Sequence, residues 1–64
     1  MSACGIAIVE VQTEGGVWIK FCDGSSHPSS VSRMLAAAVS SQRWVKKARA
    51  IDAETRQIID MAFR

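Results

Sequence analysis

The stretch QRWVKKARAIDAETRQIIDMAF, residues 42–63, decides the fold, because the second half of the chain depends on whether it is helical. Within it Trp44, Ala48, Ile51, Thr55, Ile58 and Ala62 recur at alternating steps of four and three, the seam that two packed helices share. Asp52, Arg56, Asp60 and Arg64 follow one another at four-residue steps with alternating sign, a ladder suited to one exposed helix face. The spacing predicts a long helix over about residues 42–63. Its rival is a break at Ile51-Asp52, with Asp52 capping a separate last helix.

Working outward, Val31, Met34, Leu35 and Ala38 form a second helical stripe. At about 100° per residue it lies roughly 130° around the axis from the first, so one straight helix cannot bury both. A break near Ser40-Ser41 separates them, leaving a short helix over about residues 30–40. Ser29 or Ser30 is its expected cap, after the loop Asp23-Gly24-Ser25-Ser26-His27-Pro28.

The N-terminal part alternates as a hairpin. A loop of Thr13, Glu14 and Gly15, with Gly15 left-handed, sets Val11 opposite Val17, Val9 opposite Ile19 and Ala7 opposite Phe21. On the other face Ile6, Ile8 and Glu10 meet Trp18, Lys20 and Cys22. Both faces are therefore largely apolar. The expected fold is α+β, one domain over residues 1–64: an N-terminal antiparallel β-hairpin followed by two α-helices.

A chain of 64 residues, 48% hydrophobic and 22% charged, has the composition of a folded domain. Below roughly 70–80 residues a single core seldom supplies more than about 3–5 kcal/mol. Completion by a second copy is expected, giving a homodimer. Two surfaces are candidates for the contact: Ile6, Ile8 and Trp18 on the outer hairpin face, and Ile51, Ile58 and Ala62 on the helix seam.

The formal charge of +2 conceals a segregation. Residues 33–51 hold Arg33, Arg43, Lys46, Lys47 and Arg49 with no acid. Cations in the first turns of a helix oppose its dipole by about 0.3–1 kcal/mol each. An acidic partner surface would explain them, so Arg43, Lys46, Lys47 and Arg49 are the candidate partner-binding residues. A protein partner is preferred to nucleic acid, because Trp44 begins the apolar seam and lies opposite the basic stripe. The alternative is a small dimeric nucleic-acid-binding regulator that uses the basic turn Arg43–Arg49.

Reaction chemistry is not expected. His27 sits among Ser25, Ser26, Ser29 and Ser30, where loop and capping duties account for the hydroxyls. Cys4, Cys22, Asp23 and His27 match no zinc spacing, and Cys4 falls diagonal to Cys22 in the hairpin, awkward for a disulfide. The reading is a non-enzyme with no cofactor, no metal and no small-molecule substrate. No basic leader precedes Ala3–Val9 and no apolar run nears the roughly 20 residues of a membrane span, so a cytoplasmic protein that does not bind membranes is expected.

In size and layout alone, one hairpin and a few helices, the chain resembles the small accessory proteins that phages and other mobile elements encode. That resemblance implies an inhibitor or adaptor acting by protein–protein interaction.

Overall fold

The computed structural model describes residues 5–64. In chain order they form β1 (Ile6–Gln12), β2 (Trp18–Ser25), α1 (Pro28–Ser41), β3 (Lys47–Asp52) and β4 (Ile58–Phe63). The strands make one antiparallel sheet in the order β2-β1-β3-β4, and α1 packs on one face against all four. The architecture is α+β. A four-stranded sheet with one helix between β2 and β3 replaces the expected hairpin followed by two helices.

The expected helix over residues 42–63 is absent, because β1 needs a second neighbour. A hairpin alone leaves one edge of β1 without backbone partners, and an isolated two-stranded ribbon is at best marginal in water. The run Lys47-Ala48-Arg49-Ala50-Ile51-Asp52 alternates at period two and fills that edge, from Ala7 opposite Asp52 to Val11 opposite Ala48. Ala48 and Ala50 are fully buried beneath α1, while Arg49 and Ile51 take the other face. The supposed seam is thereby split, with Ala48 and Ala62 on the helix side and Ile51 and Ile58 on the opposite side.

Each member of the charge ladder has a local role instead. Asp52 Oδ1 accepts from the backbone N–H of Glu54 (2.8 Å) and Thr55 (3.1 Å), the geometry of a helix cap serving a single turn. That turn ends at Arg56, which is left-handed at φ 65°, and Ile58 begins β4. Asp60 Oδ1 accepts from Met61 N–H at 2.8 Å, and Arg64 Nη1 donates to the Gln42 carbonyl at 2.8 Å.

The first helix is present and longer than expected, Pro28–Ser41, with Val31, Leu35 and Ala38 buried and Met34 packed beside them. His27 caps it in place of Ser29 or Ser30: its Nδ1 accepts from Ser29 N–H at 3.3 Å, and Pro28 opens the first turn. At the far end Ser40 Oγ donates to the Ala36 carbonyl (2.8 Å) and Ser41 Oγ to the Ala38 carbonyl (2.7 Å). These serines close the helix they belong to and start no other.

The hairpin also departs from its expected register. Five residues, 13–17, connect β1 to β2, and Gly16 at φ 84°, not Gly15, carries the left-handed conformation. Val11 therefore faces Ile19, and an irregularity between Val9 and Glu10 leaves Phe21 as an extra residue. Beyond it Val9 pairs with Cys22 and Ala7 with Gly24, which moves Cys22 to the helix face. A side chain at Gly24 would come within 3.0 Å of Met34 Sδ, so this glycine allows the close approach of α1.

Candidate functional site

The interior is built from small side chains. Its buried apolar residues are Ala7, Ala38, Ala48 and Ala50, Val9, Val11, Val31 and Val45, with Leu35 and Ile51 the only larger ones among those described. Larger apolar residues lie outside: Ile6, Ile19, Phe21, Ile58, Ile59 and Phe63 are each at least 40% exposed. This inverts the usual distribution, in which bulky aliphatic and aromatic groups fill the core.

The sheet face opposite α1 holds three of them, Ile6, Ile58 and Phe63, whereas Ile19, opposite Val11, lies on the helix side. Near one end Ile8, Ile51 and Ile58 stand side by side on β1, β3 and β4, with Ile6 further along. Ile51 is only 6% exposed, flanked by Ile8 and Ile58 in the register, whereas Ile58 is 52% exposed. Glu10, Arg49 and Met61 follow in the middle, and Trp18, Gln12, Lys47 and Phe63 at the other end. Arg49 Nη2 and Nε lie 2.8 and 2.9 Å from Glu10 Oε1, and the Arg49 guanidinium lies 4.2 Å from the Trp18 ring centroid. The charges at the centre of the face are paired and stacked.

The edges of the sheet are less receptive than this face. On β4 the Arg64 N–H points inward to the Lys46 carbonyl, so by alternation the Met61 N–H points outward. The Asp60 carboxylate already occupies that donor. Irregularities at Phe21 on β2 and Ile59 on β4 further interrupt both edges.

Of the residues predicted to form a dimer contact, Ile6, Ile8, Trp18, Ile51 and Ile58 are brought together on the open face, merging the two surfaces that the sequence kept apart. Ala62 is not among them; it pairs with Ala48 on the helix side. Met61 and Phe63 complete the face and were missed because the helical reading placed them off the seam. The period-two alternation of residues 47–52 was the signal that could have found them.

The predicted partner-binding residues are divided differently. Arg43, Lys46 and Lys47 border a cleft of about 720 Å³ at the Gln12 end of the sheet, together with Gln12, Thr13, Glu14, Gly16 and Trp44. Arg49 is not there; it belongs to the Glu10 pair on the open face.

His27 Nδ1 lies 2.9 Å from Ser29 Oγ, and Ser25 Oγ accepts from His27 N–H at 3.1 Å, so this cluster shapes the entry to α1. Cys22 is a free thiol whose pKa is raised, first by burial and then by the Asp23 carboxylate, with Lys20 opposing. Protonated thiol is a poor nucleophile. Cys4 lies outside the described residues, and among those described no group of three or more His, Cys, Asp or Glu is placed to hold a metal. Nor is any described helix long and apolar enough to cross a membrane. Comparison with protein-family models, with curated proteins and with solved structures finds no match for this chain.

Proposed function

We propose that this chain is a small, non-enzymatic, cytoplasmic binding protein that works as a homodimer, two copies covering each other's open sheet faces. The observation that carries the reading is the distribution of side-chain size: mostly alanine and valine inside, with Ile6, Ile8, Ile58, Phe63 and the half-buried Trp18 on the uncovered face. Because Glu10 and Arg49 pair within one copy, covering that pair strands neither charge, and Lys47 stands at the far end of the face. A second copy supplies the same apolar surface and the same internally satisfied centre, which suits a two-fold contact.

Sedimentation equilibrium tests this directly. At tens of micromolar the reading requires about twice the 7.0 kDa chain mass. Ile58→Lys, on the face, should return the mass to one chain, and Ala36→Lys, on the exposed side of α1, should not. A folded wild-type monomer at that concentration would overturn the proposal.

A further inference from the structure

At the Gln12 end of the sheet, the cleft carries charge that the fold itself leaves unanswered. Lys20 pairs with Asp23 at 2.7 Å and Arg49 with Glu10, whereas Arg43, Lys46 and Lys47 have no ion-pair partner among the described residues. They stand within five positions of one another, all exposed and all bordering the cleft. Trp44, half-buried against the core, borders the same cleft.

We infer that this cleft binds a short acidic peptide segment of a partner protein, its carboxylates against Arg43, Lys46 and Lys47 and one apolar side chain against Trp44. Charge complementarity selects an anion. The lining selects a peptide over a nucleic-acid strand: only three cations border the cleft, and the Glu14 carboxylate borders it with them. A volume near 720 Å³ falls within the roughly 300–1,000 Å³ of sites that enclose a few side chains.

Arg43 and Lys46 lie off the sheet, so charge substitutions there leave the open face untouched, whereas Lys47 borders both surfaces. Trp18→Phe leaves Trp44 as the single tryptophan reporter. The probe is a blocked ten-residue peptide of Asp and Glu with one central Leu, compared with an oligothymidylate of equal charge. The peptide should shift Trp44 emission saturably at low salt and bind at least tenfold more weakly at moderate salt. Arg43→Glu combined with Lys46→Glu should weaken it at least tenfold further, with Arg43→Gln and Lys46→Gln intermediate and the thermal unfolding profile retained. No saturable change, binding that survives both pairs of substitutions, or an oligothymidylate that binds as tightly as the peptide would each overturn the assignment.

Discussion

Arg49 on β3 stacks its guanidinium 4.2 Å from the ring centroid of Trp18 on β2, the two reaching each other over the intervening strand β1. Glu10 of β1 lies beneath and accepts from Arg49, so three strands are tied together on the side that the helix does not cover. Glu10→Ala removes the acceptor and leaves the half-buried guanidinium unpaired, at an expected cost of about 1–2 kcal/mol. Lys20→Ala, at the more exposed Lys20–Asp23 pair, should cost less than about 0.5 kcal/mol. Urea unfolding at one fixed protein concentration compares them; equal losses would refute the distinction.

Ala50 separates the sheet from the long helix that the apolar spacing suggests. On that helix it would lie off the seam and tolerate a charge, whereas in the sheet it is fully buried under α1. Ala50→Glu should therefore cost more than about 3 kcal/mol, through an unpaired buried carboxylate as well as overpacking. Circular dichroism and urea unfolding give the answer, and a near-neutral substitution would contradict the register of β3.

Arg56 closes the β3–β4 turn at φ 65°, where an L-residue is disfavoured by about 1–2 kcal/mol and glycine is not. Arg56→Gly relieves that strain but loosens the unfolded chain, which returns part of the gain. A net stabilisation of about 0.5–1 kcal/mol is expected, read as a higher midpoint of thermal unfolding. A lower midpoint would show that the Arg56 side chain contributes more than its backbone loses.

Cys22 should be a slow nucleophile. With Cys4→Ser in place, its alkylation by iodoacetamide near neutral pH is expected to be slower in the folded than in the urea-unfolded chain, with the folded rate rising at higher pH. The sign for stability follows from the same shift. Above the ordinary thiol range the unfolded chain releases its proton first, so stability falls as pH rises toward the raised value. Equal alkylation rates in the two states would remove the argument.

Local contacts made part of this protein legible. Alternation from Ile6 to Val11, the glycines of the first turn and the stripe Val31, Met34, Leu35 and Ala38 lead to a hairpin and a helix because their partners lie a few residues away. The large apolar residues Ile6, Ile8, Trp18, Ile51 and Ile58 could be singled out for the same reason: their need for cover is a property of the side chain and does not depend on the element that carries it. Residues 42–63 were different, since Ala48, Ile51, Ile58 and Ala62 satisfy a helical period while residues 47–52 also satisfy a strand period. Only the unpaired backbone edge of β1, some forty residues earlier in the chain, decides between them. The same long-range pairing placed Cys22 under the helix, drew Arg49 away from the other cations to Glu10, and gathered two separate candidate surfaces onto one face. Composition and local pattern determined which groups stand out as large and apolar or as cationic; tertiary pairing decided which neighbours they met, because a strand's partner is set by hydrogen bonds that no local window contains.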